Sequence, residues 1–186
     1  MLTTLPRKKF TVPDYHRMGE FGILNEWERF ELIKGDILCM TPIGFFHASH
    51  VDKLNHLFVS KFGKDAIVRV QNPVQLDDSS EPEPDIALLL PRKDYYATRH
   101  PTPKDVFLIV EVADTTIRYD RNVKLPLYGR AGVREYWLVD LKAQCVEIYT
   151  NPSEHGYEML KKLRKGAITA SQAFPETEIE IDDILG

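Results

Sequence analysis

Residues 106–113 read Val-Phe-Leu-Ile-Val-Glu-Val-Ala, an apolar run interrupted by one carboxylate, Glu111. Residues 85–90 read Asp-Ile-Ala-Leu-Leu-Leu and carry their acid, Asp85, at the first position. Runs this apolar belong to strands covered on both faces. The Pro91–Asp105 connection is too rich in proline and too irregular for a crossover helix, which predicts an antiparallel pair. Side chains alternate along a strand, so Glu111 is expected to share a face with Phe107 and Ile109. Antiparallel pairing sets the start of the first run beside the end of the second, and Asp85 and Glu111 then converge at one end of the sheet. A carboxylate inside an apolar strand is costly unless it is paired or bound to a cation. The two acids therefore read as a cation site. The structural alternatives are a strand-start role for Asp85 and an ion pair between Glu111 and Lys124.

Outward from this pair, Asp120–Arg130 is helical in composition, with Pro126 expected to kink it or mark its boundary. Asp120, Lys124 and Tyr128 are four apart and share a face, which can bring an ammonium to the two acids. Tyr128 reads as a packing residue with its hydroxyl at the cleft rim. Glu135–Val139 reads as a strand, and the helix between it and the 106–113 strand predicts a right-handed parallel βαβ unit. Gln144–Thr150 and Tyr157–Lys162 form a closing hairpin over Asn151–Gly156, and Glu176–Ile184 alternates like an edge strand. Before the pair come a helix over Thr11–Gly19, with Thr11 as N-cap and Pro13 in its first turn, and a hairpin of Phe30–Ile33 and Asp36–Met40 around Lys34-Gly35. A helix over His47–Phe62 and a strand over Ile67–Val70 follow. The fold class is α/β (α+β): a mixed central sheet flanked by helices, with a carboxyl-terminal β-hairpin. One domain over residues 1–186 is expected, with residues 1–10 as a flexible arm.

The composition narrows the chemistry. Apolar residues make up 43% and charged residues 28% of the 186, which excludes wholesale disorder. The net charge of −4 argues against a non-specific nucleic-acid coat, though not against a nuclease whose metal-binding carboxylates lower the charge. Cys39 and Cys145 are too few for a disulfide framework or a thiolate metal site. No segment is apolar enough to span a bilayer and no secretory signal is read, so a cytoplasmic protein is expected. Glu31, in Phe30-Glu31-Leu32-Ile33, is either a further acid of the metal shell or a sheet-edge residue. His47 and His50 at the start of a helix are either a metal pair or capping and internally satisfied residues. Arg118, Arg121, Arg130 and Arg134 read as a phosphate track or as a solvated face.

Several of these pieces occur together in a recognisable order. Pro82-Glu83-Pro84-Asp85, Val110-Glu111-Val112-Ala113-Asp114, Tyr119-Asp120-Arg121, Lys124, Tyr128, Gly132-Val133 and Glu135-Tyr136-Trp137-Leu138-Val139-Asp140 resemble the Uma family of putative bacterial endonucleases. Phe30-Glu31-Leu32-Ile33-Lys34-Gly35 and Pro42–His47 extend the likeness over most of residues 10–184. That family is a branch of the restriction-endonuclease-like PD-(D/E)XK superfamily. The resemblance implies a mixed sheet flanked by helices and a cleft at its carboxylate end. It implies Asp85 as the first acid, Glu111 as the second and Glu31 as an amino-terminal acid. The superfamily lysine stands two positions after the second acid, where this chain has Ala113; in the Uma branch it is similar to one displaced onto the next helix, here Lys124.

The implied activity is metal-dependent hydrolysis of DNA phosphodiester bonds. Hard oxygen ligands suit Mg²⁺ or Mn²⁺: Asp85, Glu111 and the Val112 carbonyl for one ion, and Glu31 for a second. Lys124 would orient the water or stabilise the transition-state charge, with His47 and Tyr128 lining the cleft. DNA is the implied partner, and a homodimer through the carboxyl-terminal hairpin is the implied assembly. The competing functions are a non-catalytic module binding nucleic acid or protein, and a metal-dependent hydrolase of a small phosphoester in a closed pocket.

Overall fold

The computed structural model describes residues 7–25 and 27–186. Helix α1 (Val12–Glu20) starts at Thr11, whose hydroxyl accepts from the Asp14 amide while the Asp14 carboxylate accepts from the Thr11 amide. This reciprocal cap satisfies two amides that a helix start would otherwise leave unpaired. Strands β1 (Phe30–Ile33) and β2 (Asp36–Cys39) form the expected hairpin, with both turn residues in the left-handed region, Lys34 at φ +51° and Gly35 at φ +76°. The Phe10 amide donates to the Gly35 carbonyl and Lys9 pairs with Asp36, so the end of the expected arm is tied to this hairpin. Residues 1–6 of that arm lie outside the described residues.

Helix α2 (Phe45–Phe62) buries Val51, Leu54, Phe58 and Phe62. Strands β3 (Ile67–Val70), β4 (Ile86–Leu89) and β5 (Val106–Ala113) follow. The next stretch is helical but broken: α3 (Ile117–Tyr119), a π turn (Asp120–Lys124) and α4 (Leu125–Arg130). Pro126 has no amide to offer the Asn122 carbonyl, and the ladder widens there before α4 restarts it. Strands β6 (Glu135–Asp140), β7 (Cys145–Ser153), β8 (Gly156–Leu163), β9 (Ile168–Ser171) and β10 (Phe174–Glu180) lead to α5 (Ile181–Leu185). Among the described residues, no helix is long and apolar enough to cross a membrane.

The central sheet has the order β3-β4-β5-β6-β7-β8, with β5 and β6 parallel and every other neighbouring pair antiparallel. One face packs α2, α5 and the β9–β10 pair over Ile86, Leu88, Leu108, Val110, Val112, Trp137 and Val139. The other packs α4 and the β1–β2 hairpin over Ala87, Leu89, Ile109, Ala113, Tyr136 and Leu138.

Three expectations are corrected. Leu88 pairs with Leu108 but Leu89 pairs with Val106, so Phe107 is an extra residue in the ladder. It turns to the α2 face against Phe174, and Glu111 shares its face with Ile109 but not with Phe107. The carboxyl-terminal strand does not extend the central sheet: β10 pairs with β9, which the sequence reading did not anticipate, and its continuation buries Ile181 and Ile184. The closing hairpin is longer than expected, its strands reaching Ser153 and Gly156.

Candidate active site

Register brings the two acids together. Ile86 faces Val110, so Asp85 and Glu111 lie just past the last paired residues of β4 and β5. Freed from the ladder, the Val112 amide donates to Asp85 Oδ2 at 2.9 Å, and the Asp85 amide donates to Glu111 Oε2 at 3.3 Å. Both side chains are buried. Asp85 Oδ1 also accepts from Gln71 Nε2 at 3.2 Å and lies 3.0 Å from His47 Nε2, which places β3 and α2 around the same carboxylate.

The helical stretch after β5 supplies the cation. Lys124 Nζ donates to Glu111 Oε1 at 3.0 Å and to Glu31 Oε1 at 2.9 Å. Tyr128, one turn on, donates its hydroxyl to Glu111 Oε1 at 2.8 Å. Tyr128 is fully buried, beneath the cleft and not at its rim, because its ring packs on Tyr136 of the sheet. Glu31 sits on a strand of the two-stranded β1–β2 hairpin yet is buried, and its Oε1 also accepts from the Glu83 amide at 2.9 Å. That bond fixes the β1–β2 hairpin to the segment leading into Asp85.

These groups open on a cleft of about 670 Å³ whose wall includes Glu31, His47, Asp85, Glu111, Val112 and Lys124. Gln71, Glu83, Asp114 and Asp120 add polar groups that the sequence reading had not assigned to the site. Asp120 shared the helical face of Lys124, and that was the available signal for it. Gln71 meets Asp85 only through the β3–β4 pairing, and no local motif announces it.

Burial sets the electrostatics. It pushes the Glu111 carboxyl up to about 8, with Lys124 opposing the rise and Asp85, Asp120 and Glu31 adding to it. Burial also pushes Asp120 up to about 6, against a hydrogen bond from Thr116. Burial would raise Asp85, but the hydrogen bond and charge of His47, with the Val112 amide and Lys124, together outweigh it, and the carboxyl ends below its usual range. His47 is raised in return, chiefly by its bond to Asp85. Burial works against the Lys124 charge, but Glu111, Glu31 and Asp120 hold it well above an ordinary lysine. The cleft thus carries more acid than its one buried lysine balances.

The remaining candidates separate from the site. His50 is internally satisfied, its Nδ1 2.9 Å from the Phe46 carbonyl and its ring packed on Phe46, and unlike His47 it does not line the cleft. Arg121 turns to Asp140 and Glu147, and Arg130 bonds the Glu154 carbonyl. The arginines therefore do not form a continuous phosphate track.

A family model named Uma2 and described as "Putative restriction endonuclease" matches residues 12–182. The chain belongs to the Uma2 family. Glu31, Asp85, Glu111 and Lys124 all lie within the matched span. Among solved structures, the chain is similar to a protein from Anabaena variabilis ATCC 29413 titled a putative nuclease belonging to DUF820. The TM-score is 0.74 at 16% identity, covering 95% of this chain and 97% of that one. The fold of this Uma2 member is therefore that of a structure titled a nuclease, a mixed central sheet flanked by helices. No curated protein matches the sequence.

Proposed function

We propose that this protein is a metal-dependent endonuclease that hydrolyses DNA phosphodiester bonds. The observation that carries the reading is the convergence of Asp85 and Glu111 past the β4–β5 ladder, with Lys124 beside them on one cleft. Family membership and fold support it. The donor set fits a hard divalent cation: two carboxylates and the Val112 carbonyl as ligands, while the Cys39 thiol, also on the cleft wall, is turned to the Met40 carbonyl. The rise of Glu111 points the same way, because a cation there would hold the carboxylate ionised. When bound, Mg²⁺ or Mn²⁺ supplies Lewis-acid polarisation of a phosphoryl oxygen and acidification of the attacking water.

The protein's own groups do the rest. Lys124 stays protonated at neutral pH and offers its charge to the phosphorane-like transition state. Tyr128 and Glu31 fix the positions of Glu111 and Lys124. His47 and Gln71 orient Asp85. Glu31 Oε1 is already engaged by Lys124 and the Glu83 amide, so a second ion would take its other oxygen. The reading places the protein in the cytoplasm, acting as a pair through the β7–β8 hairpin, where Met159 and Leu160 are exposed.

Plasmid cleavage with Mg²⁺, Mn²⁺, Ca²⁺ or EDTA tests the proposal. Nicking or linearisation is expected with Mg²⁺ or Mn²⁺, with none in EDTA and none from Asp85→Ala. Cleavage by Asp85→Ala at the wild-type rate, or none by the folded wild type with any metal, would reject it.

A further inference from the structure

A second constellation stands outside the acid cleft. His16 on α1, Glu81 ahead of the Pro82–Asp85 segment and His100 in the β4–β5 connection each present a ligand atom, and these atoms lie within 4.8 Å of one another. The three come from segments far apart in sequence. His16 Nε2 is 2.7 Å from Glu81 Oε1, and the rings of His16 and His100 meet edge to face at 5.7 Å between centroids. Glu81 is 2% exposed, and its Oε2 has no hydrogen-bond partner among the described residues. A hydrogen-bonded pair alone would account for His16 and Glu81. It leaves His100 and the second buried oxygen of Glu81 unexplained.

We propose that His16, Glu81 and His100 form a second metal site, for a borderline-soft first-row ion of the Zn²⁺ kind. Two imidazoles and one carboxylate are a zinc donor set, in contrast to the all-oxygen donors of the cleft. A tetrahedral ion about 2.0–2.1 Å from each ligand separates neighbouring ligands by roughly 3.3 Å. The His16–Glu81 contact would open by about half an ångström, a shift within reach of a side-chain rotation of the partly exposed His16. The side chain of His16 is 41% exposed, and both histidines line an adjoining cavity of about 730 Å³, which leaves room for a water as fourth ligand.

The placement gives the ion a task. The Glu81 amide donates to the Leu32 carbonyl at 2.7 Å, next to Glu31. Arg29, Gln71 and Glu83 line both cavities, so the two sites share a wall. An ion here would fasten α1 to the segment that ends in Asp85, and so brace the acid cleft from outside. The site does not depend on the nuclease reading.

Zn²⁺ titration by chelator competition, with Co²⁺ absorption as a spectroscopic probe, tests it on the full chain. Wild type and Asp85→Asn should each bind one Zn²⁺ at this site with equal affinity and give a four-coordinate Co²⁺ spectrum. His16→Ala and His100→Ala should each weaken binding by about 100-fold or more, since loss of a mere supporting partner already costs 10–100-fold. His16 is half exposed, so its variant should keep the fold, and circular dichroism checks this. Glu81→Gln, nearly isosteric, should lose the Co²⁺ spectrum as well. Absence of Zn²⁺ binding, binding unchanged in both histidine variants, or binding lost in Asp85→Asn would each overturn the proposal.

Discussion

Glu111→Gln should flatten the dependence of stability on pH in the metal-free protein. Burial raises the Glu111 carboxyl from an ordinary 4.5 to about 8. Between those values the folded protein keeps a proton that the unfolded chain releases, so folding grows less favourable as pH rises. The stabilisation is complete below 4.5 and is lost by the time the pH passes the folded value. The slope is about 1.4 kcal/mol per pH unit, and the loss over the whole window reaches about 5 kcal/mol as an upper figure. Glutamine keeps an oxygen to accept from Lys124 and Tyr128 but has no proton to release, so this component vanishes. Any packing cost of the amide shifts the whole curve without tilting it, and Lys124 keeps Glu31 and Asp120 beside it. The slope is therefore the readout, not the absolute difference. Urea unfolding in EDTA at fixed ionic strength, from about pH 4.5 to 9, should show the two stability curves diverging and then running parallel above about 8. Excess Mg²⁺ should flatten the wild-type curve, because a bound cation holds the carboxylate ionised. Parallel curves through the whole window would refute the argument that burial governs this acid.

Other perturbations follow from the same contacts. Lys124→Met should lower single-turnover cleavage by about 100-fold or more. Because Lys124 is buried between Glu111 and Glu31, it should also cost about 3–5 kcal/mol in thermal or urea unfolding; normal cleavage by the remaining folded fraction would remove Lys124 from the chemistry. Burial would raise Glu147, but hydrogen bonds from Arg121, Lys162 and Tyr149 hold it at about 2, so its stabilisation is present above 4.5 and lost as pH falls toward 2. Arg121→Ala should shrink that acid-side loss by about 2 kcal/mol, after discounting for the partly exposed arginine; an unchanged acid limb would contradict it. A β-carbon on Gly129 would lie 2.1 Å from the Gly156 carbonyl, where α4 meets the β7–β8 turn. Gly129→Ala should lower the urea midpoint by an amount equivalent to about 1–3 kcal/mol, and wild-type stability would show that the helix can shift freely.

The central sheet was legible because its signals are local. Apolar run length, the proline-rich Pro91–Asp105 connection and the helix ahead of Glu135 fix the strand directions, and those directions bring Asp85 to Glu111. The face shared by Asp120, Lys124 and Tyr128 was also legible, since helical spacing survives the break at Pro126. The bulge at Phe107 was hidden because one extra residue in an apolar strand leaves the run looking regular. The β9–β10 pair was hidden because alternation tells which side of a strand is buried but not which strand lies beside it. The bond of His47 to Asp85, the part played by Gln71 and the His16–Glu81–His100 group depend on contacts between distant segments, where sequence spacing carries no distance.

The π turn at Asp120–Lys124 makes this site sensitive to a kind of change that substitution analysis does not see. A π turn is an α-helix with one residue too many. Removing a single residue from it would heal the hydrogen-bond ladder and leave the hydrophobic face of α4 to find its old place. The residues before the deletion would then turn by about 100° relative to those after it. Either Asp120 or the Lys124–Tyr128 pair would leave the cleft, while every side chain in the core stayed chemically the same. An in-frame loss of one codon here is thus a route from an assembled site to a folded but incomplete one, and insertions and deletions, more than point changes, are the events that this segment must be guarded against.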